Sequence, residues 1–293
     1  MAFFPIFIQY DNARKTDGFG AQGTRIVGVY AIARFFRIKY VHRGIVEFSD
    51  RRELMGSISD ERAYSETLRR LNCYLQPESQ NSWKLPEKAQ TIFIYNLGFR
   101  ILLKYLLKSL LRPNTYVLSV CLPFGITDRL PITYVKVRDS FNYGRPINES
   151  GTESRTIVAH IRTGQNSPSY PRTQLSAGYF DKLIFAEKYG KLNSDKWIIH
   201  TDFLETDFSD KPNSVNVIEF RDLFAKLALF HNVEIRHYAK IEDVFLDMLN
   251  SHVLIMGKSA LSYLAALIGN GEVVYPSSHG HSPLPQWNIE YVS

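Results

Sequence analysis

The second half of the chain alternates short apolar runs of β type with helical stretches. Strands are predicted at 155–162, 196–202, 214–220, 233–238, 252–259 and 272–276, and helices at 179–190, 220–231, 241–251 and 260–271. This alternation is typical of β-α-β units, whose strands form a parallel sheet. Ligands of such sheets bind beyond the carboxyl ends of the strands. The pattern therefore predicts an α/β fold with a ligand site at that edge.

The first half shows a similar but looser alternation. Strands are predicted at 3–10, 38–42, 91–95 and 115–121, and helices at 23–36, 60–75 and 97–111. Proline, glycine and polar residues then accumulate between 122 and 153, which is typical of a domain boundary. A chain of 293 residues is long enough for two domains. We therefore expect two Rossmann-like domains, 1–150 and 151–293, that face a central cleft.

The net charge of +6 favours an anionic ligand. The densest arginine clusters, at Arg51 and at Arg69 and Arg70, lie beside acidic residues, as expected of solvated helix faces. The chain has no basic stripe with interleaved aromatic residues of the kind that single-stranded nucleic acid requires. A small anionic ligand is thus expected, and a nucleic acid is not.

Cysteine usage and hydropathy indicate the cellular compartment. Cys73 and Cys121 lie far apart, with neither a C-x-x-C motif nor a histidine cluster, which indicates structural thiols in a reducing compartment. The apolar start, MAFFPIFIQY, is too short for a signal peptide and predicts a buried strand. These features predict a cytoplasmic protein, or a chain whose anchor has been removed.

The longest apolar run, LGFRILLKYLLKSLL from Leu97, does not predict a membrane span. Arg100, Lys104 and Lys108 interrupt it at helical spacing. An apolar run with cations at this spacing predicts an amphipathic helix packed against a core.

Three glycines, Gly18, Gly20 and Gly23, have the spacing G-x-G-x-x-G. In a dinucleotide-binding fold the first glycine follows its strand almost at once, and an acid about 20 residues later binds the ribose. Here the strand ends well before Gly18, and no such acid is present, although His42 and Arg43 could accept the 2′-phosphate of NADP. An NADP-dependent oxidoreductase therefore stays open, as does a purely structural turn into the helix.

His160 and Arg162 come at the end of the strand that opens the second half, in the run VAHIRTGQ. A guanidinium at the carboxyl end of a strand can hold two oxygens of a diphosphate, whose negative charge grows as it leaves. The structural alternative is an arginine paired with a local acid and a histidine packed in the core.

A later segment, 242–267, combines an acid at a helix start with a serine at the next helix start. Ser259 is expected to cap the helix that begins at Ala260, where its hydroxyl, the free amides and Lys258 could meet a phosphate. The Asp243 carboxylate suits the two N–H donors of guanine. The structural alternatives are a first-turn acid and a simple N-cap.

Three of these segments together resemble the fucosyltransferase-like glycosyltransferases of the GT-B fold. DGFGAQGTRIVGVYAIAR, from Asp17 to Arg34, is similar to their glycine loop and helix. His160 and Arg162 match the first histidine and the first arginine of the family motif H-x-R-R-x-D, whereas Thr163 and Gln165 depart from it. The spacing from Asp243 to Ser259 resembles that of the family's nucleotide-contacting residues.

The resemblance implies an inverting glycosyltransferase that moves a sugar from a nucleoside diphosphate to a glycan hydroxyl, most readily fucose from GDP-fucose. Neither a metal nor another cofactor is expected. Arg162, with Lys258 and Ser259, would stabilise the leaving diphosphate, and Asp17 is the candidate base. The family's glycine-loop contacts would fall on Gly18, Phe19, Gly20 and Gln22.

Two alternatives remain within the resemblance. The departures at Thr163 and Gln165 leave open a UDP-sugar donor such as UDP-xylose. They also suit an inactive relative that binds sugar or nucleotide without turnover. The end of the strand 196–202, with His200, Thr201 and Asp202, is expected to line the cleft, without a specific role.

Overall fold

The computed structural model describes residues 3–13, 17–48, 61–77, 83–135, 137–141, 155–162, 175–203 and 215–292. The chain forms two compact units. Unit 1 comprises Met1–Arg145 and His281–Pro285, and unit 2 comprises Pro146–Gly280 and Gln286–Ser293. The predicted boundary at 150 lies outside the described residues and stays a prediction. A single boundary in the sequence also assigns 281–285 to the second domain, whereas this segment belongs to unit 1.

Unit 1 is built on a four-stranded parallel sheet with the order β2-β1-β4-β3. Its elements are β1 (Phe4–Tyr10), α1 (Phe19–Phe36), β2 (Ile38–Val41), α2 (Glu61–Tyr74), β3 (Gln90–Asn96), α3 (Phe99–Leu111), β4 (Tyr116–Leu122), α4 (Phe124–Thr127), α5 (Ile132–Val135) and a 3-10 turn at Arg138–Phe141.

Helix α1 is buried over most of its length because small and β-branched apolar residues occupy nearly all of its faces. A β-carbon on Gly28 would lie 2.7 Å from Cγ of Pro123 in the turn after β4, so glycine allows this close approach. Helix α3 buries Leu102, Leu106 and Ser109 and contacts β1, which confirms the predicted amphipathic helix against a core.

Unit 2 is built on a six-stranded parallel sheet with the order β7-β6-β5-β8-β9-β10. Its elements are β5 (Thr156–Ile161), α6 (Ala177–Phe185), β6 (Lys196–Thr201), α7 (Val215–Leu227), β7 (Val233–His237), α8 (Ile241–Asn250), β8 (Val253–Ile255), α9 (Ala260–Ile268), β9 (Glu272–Pro276) and β10 (Asn288–Glu290). The chain adds β6 and β7 on one side of β5 and then crosses to β8 on the other side. This is the strand order of the Rossmann fold, with its switch point between β5 and β8.

The predicted α/β class with parallel sheets is confirmed in both units. The strand predicted at 214–220 is wrong, because α7 runs from Val215 to Leu227 and buries Phe220, Leu223, Phe224 and Leu227 at helical spacing. The helix predicted from 23 begins earlier, at Phe19. In the part of the chain that the structure describes, no helix is long and apolar enough to cross a membrane.

Candidate functional site

The switch point of unit 2 brings together the carboxyl end of β5 and the turn after β8. Ala159 pairs with Ile255, so His160 and Arg162 lie beside the segment Gly257–Ser259. A β-carbon on Gly257 would overlap the carbonyl oxygen of His160, and only glycine fits so close to that backbone. Residues from two distant segments thereby form one edge, as the sequence predicts for His160, Arg162, Lys258 and Ser259.

Arg162 is the first residue after β5, and its side chain is 37% exposed. Its Nε lies 3.8 Å from Oδ2 of Asp202, which follows β6. An ion pair at this distance on a partly exposed side chain contributes little to stability. The guanidinium therefore lies near the carboxyl ends of β5 and β6. Thr163 and Gln165 lie outside the described residues.

His160 is the fifth residue of β5 and its ring is uncharged at neutral pH. Burial is the main reason that its pKa falls to about 3, and the charge of Arg162 and the neighbouring His200 add to the effect. Its Nδ1 is buried and has no hydrogen-bond partner among the described residues. A neutral imidazole at this position can donate or accept one hydrogen bond but offers no charge to a phosphate.

A row of polar side chains crosses the sheet beside His160. The parallel register pairs His160 with His200 on β6, and His200 with Arg236 on β7. Directly paired residues of neighbouring parallel strands point to the same face of a sheet. The sequence shows that each of these residues lies near the end of a predicted strand. It does not show the register that brings them into one row.

Asp247 of α8 holds this row in place. His200 is only 1% exposed, and its Nε2 lies 2.8 Å from Oδ2 of Asp247. Because an ionised carboxylate only accepts hydrogen bonds, Nε2 is the donor. The other ring nitrogen, Nδ1, is buried and has no hydrogen-bond partner among the described residues. Arg236 contacts the same carboxylate oxygen through Nη1 and pairs with Glu234 through Nε at 2.6 Å. Asp247 was not identified as a site residue from the sequence. Its spacing of four residues from Asp243, one helical turn, could have placed it on the same side of α8.

Ser259 is the N-cap of α9, as predicted. Its hydroxyl oxygen accepts a hydrogen bond from the Leu261 amide at 3.2 Å, and the residue is 3% exposed. Ala260 and Lys258, on either side of it, are half-buried. The amino end of a helix favours negative charge. Contact of these residues with a phosphate stays a prediction.

Asp243 lies in the first turn of α8 and is exposed. A hydrogen bond with Glu234 is the main reason that the pKa of Arg236 is raised, and Asp247 and Asp243 contribute their charges. Asp243 therefore lies close to the polar row at the carboxyl end of β7. Its guanine contact stays a prediction.

The glycine segment of unit 1 is mostly helical rather than an open loop. Gly18 is the N-cap of α1, with φ of −69°, and Phe19, Gly20 and Gln22 lie in the first turn. Phe19 and Gln22 are each 1% exposed. The Gln22 amide donates to the carbonyl oxygens of Asp17 and Glu47, at 2.8 and 2.9 Å. Gln22 thus fixes the backbone around the start of α1.

Asp17 forms an ion pair with Arg25, in the second turn of α1. Its Oδ2 lies 2.5 Å from Nη2 of Arg25, and its side chain is 35% exposed. Burial lowers the pKa of Arg25, but the charge and hydrogen bond of Asp17 outweigh this and leave it raised. The carboxylate proposed as a base therefore has a fixed position at the amino end of α1.

The two residues considered for NADP lie after β2. His42 accepts or donates a hydrogen bond with the Tyr40 hydroxyl at 3.1 Å, and burial lowers its pKa to about 4. An uncharged His42 gives a 2′-phosphate no positive charge at neutral pH. Among the described residues, no three His, Cys, Asp or Glu side chains are grouped so that they could hold a metal ion.

No model of a known protein family matches the chain, and no curated protein matches it either. Several solved structures are similar at low identity. E. coli heptosyltransferase WaaC with ADP is 10% identical, covering 98% of this chain and 93% of that chain with a TM-score of 0.42. NodZ alpha-1,6-fucosyltransferase with GDP is 13% identical, covering 94% and 96% with a TM-score of 0.39. POFUT1 with GDP is 11% identical, covering both chains fully with a TM-score of 0.40. The strand order, and not these distant similarities, defines the fold.

Proposed function

We propose that this chain is an inverting, metal-independent glycosyltransferase that moves fucose from GDP-fucose to a glycan hydroxyl. The observation that carries the proposal is the switch point of unit 2, where Arg162 and the amino end of α9 follow the neighbouring strands β5 and β8. This is the place where Rossmann-type sheets bind nucleotides. In this proposal residues 151–293 bind the donor and residues 1–150 bind the acceptor.

The leaving group explains why these residue types suit the reaction. An acceptor oxygen attacks the anomeric carbon while the bond from that carbon to the diphosphate oxygen breaks, so negative charge grows on the diphosphate. The Arg162 guanidinium can share two hydrogen bonds with it. Lys258 and the first amides of α9, oriented by the Ser259 cap, add positive potential.

The remaining roles follow from the chemistry of the donor and acceptor. Asp243 would accept hydrogen bonds from the guanine edge, which sets the preference for GDP. Asp17 would take the proton of the acceptor hydroxyl, and its ion pair with Arg25 would hold it in position. His160 would contact the nucleoside as a neutral group.

Calorimetric titration with GDP, UDP, ADP and NADPH tests the proposal. We expect GDP to bind, and Arg162→Ala to weaken it about tenfold to a hundredfold through loss of charged hydrogen bonds. Arg155→Ala is the matched control, because Arg155 is at the opposite end of the same strand and is 50% exposed in its pair with Glu272. Asp243→Ala should weaken GDP with little effect on UDP, whereas Asp222→Ala, an exposed acid on α7, should change neither.

The other outcomes identify the alternatives. A preference for UDP would indicate a UDP-sugar donor such as UDP-xylose. Binding of a diphosphate without sugar transfer from any tested donor would indicate an inactive relative. If NADPH alone binds and Arg43→Ala abolishes it, the oxidoreductase interpretation replaces the glycosyltransferase.

A further inference from the structure

The outward face of α3 in unit 1 carries a stripe of exposed leucines. Leu103, Leu107, Leu110 and Leu111 are 56 to 86% exposed. Their spacing of four, seven and eight residues places them on one arc of about 100° on a helix with 3.6 residues per turn. This stripe lies beside the buried face formed by Leu102, Leu106 and Ser109 and is separate from it.

A stripe of cations runs beside the leucines. Arg100, Lys104 and Lys108 recur at every fourth position and are all exposed. The ammonium groups of Lys104 and Lys108 lie 5.7 and 5.6 Å from the ring centre of Tyr105, on the side away from the leucines. Helix α3 contains no acidic residue. The exposed surface of this helix is therefore both apolar and uniformly positive.

We propose that this face of α3 docks on the surface of a lipid bilayer with anionic headgroups. A helix with an apolar arc and a basic flank lies in the plane of the bilayer, with its apolar side chains at the acyl boundary and its cations among the headgroups. Thirteen residues are too few to cross a bilayer. The inference rests on the charge and exposure of α3 and is independent of the proposed glycosyltransferase activity.

Charge complementarity selects the bilayer over a second copy of the chain. A symmetric dimer through this face would place two identical basic stripes together. Because α3 has no acid to pair with them, like charges would oppose that contact. An anionic bilayer provides both an apolar phase for the leucines and negative charge for the cations.

Vesicle flotation tests the docking. The full chain is mixed with vesicles of phosphatidylcholine alone or of phosphatidylcholine with phosphatidylglycerol, at low and at high salt. We expect it to float with the anionic vesicles at low salt, to dissociate at high salt and to stay unbound with neutral vesicles. Equal binding to both kinds of vesicle, or binding to neither, would overturn the proposal.

Two double variants test whether α3 is responsible. Lys104→Gln with Lys108→Gln should weaken binding to anionic vesicles by about 25-fold, at about fivefold for each cation. Leu107→Gln with Leu111→Gln should weaken it by at least about tenfold, because two leucines no longer enter the acyl boundary. All four side chains are exposed, so the thermal midpoint should not change.

Matched controls lie outside α3. Leu229→Gln removes a leucine that is 84% exposed, close to the 86% of Leu111, and Lys191→Gln removes an exposed lysine. Neither should alter vesicle binding. If these controls weaken binding as much as the α3 variants do, α3 is not the docking surface. Sedimentation as a dimer that Leu107→Gln dissociates, without vesicle binding, would assign the face to a second copy instead.

Discussion

Asp247 is a single carboxylate that serves two basic side chains. It accepts from His200, which is almost fully buried, and it contacts Arg236. Loss of the carboxylate would leave the buried His200 donor without an acceptor, which costs more than the hydrogen bond itself contributes. Its position on α8 ties that helix to the ends of β6 and β7.

We expect Asp247→Ala to lower the free energy of unfolding by about 2 to 3 kcal/mol. Asp243→Ala is the matched control on the same helix, because Asp243 is exposed and one turn away. The control should change stability by less than about 0.5 kcal/mol. Urea denaturation measures both, and equal effects would show that the Asp247 network does not stabilise the fold.

Two partly buried histidines, His160 and His42, make stability depend on pH. Burial lowers the pKa of His160 to about 3 and of His42 to about 4, whereas an unfolded histidine has a pKa of about 6.5. As the pH falls below 6.5, the unfolded chain gains protons that the native chain does not. The stability contributed by each neutral histidine is therefore present above pH 6.5 and is lost as the pH falls toward its native pKa.

Between pH 6.5 and about pH 5, each histidine should lower the free energy of unfolding by up to about 2 kcal/mol. His160→Gln and His42→Gln should each flatten this decline. Urea denaturation at a series of pH values measures it, with the exposed His231→Gln as the control. If His231→Gln flattens the curve as much, burial of the other two histidines is not the cause.

At the scale of elements, the start of α9 has two separable roles. Ser259 caps the helix, and in the proposed function it also contacts the diphosphate of the donor. Ser176 caps α6 in the same way, through the Tyr179 amide at 3.2 Å, without a proposed ligand. The pair of caps therefore distinguishes a helix-capping role from a binding role.

We expect Ser259→Ala and Ser176→Ala each to destabilise the protein by about 1 kcal/mol through loss of the cap. Only Ser259→Ala should also weaken nucleotide binding. Thermal unfolding and calorimetric titration of the same two variants provide the two readouts. Unchanged nucleotide affinity in Ser259→Ala would restrict Ser259 to its structural role.

Periodicity predicted elements better than it predicted their ends. The β-α-β alternation of unit 2 was readable because its strands are short apolar runs and its helices have one apolar face. Residues 214–220 misled the prediction, since Val215, Val217 and Ile218 suit a strand, while the burial of Phe220, Leu223 and Phe224 continues a helix. The first turn of α1, from Phe19, is fixed in part by the Gln22 side chain, which donates to the Asp17 carbonyl just before the helix and to the Glu47 carbonyl of a distant segment, a contact that local periodicity does not show.

The parts of the candidate site that depend only on local sequence could be predicted. The Ser259 cap follows from a serine before an apolar helical run. The row of His160, His200 and Arg236 was not predictable, because it requires the register of three strands. Asp247 required, in addition, the packing of α8 on those strand ends.

At the scale of the whole molecule, unit 1 is completed by residues from the end of the sequence. The Ser282 hydroxyl donates to the Asp128 carbonyl at 2.8 Å, and the His281 ring lies 4.4 Å from that of Phe124. His281 also pairs with the Asp128 carboxylate at 3.4 Å. These contacts hold the segment against α4 and the turn that follows it.

We expect His281→Ala with Ser282→Ala to loosen the α4 region of unit 1 while the core strand β5 of unit 2 keeps its protection. Hydrogen exchange should rise at the amides of 124–128 by about tenfold, as expected for loss of one to two kcal/mol of local stability. The amides of 156–161 should not change. Increased exchange in both segments would contradict a local role for 281–285.

The same return of the chain has a consequence for synthesis. Residues 281–285 leave the ribosome only after all of 146–280 has been made, although they belong to the unit that was made first. Domains usually fold in the order of their synthesis. Here the last contacts of unit 1 can form only after 146–280 has been synthesised, and the final segment of unit 2, Gln286–Ser293, follows later still, so neither unit can be completed until the end of synthesis.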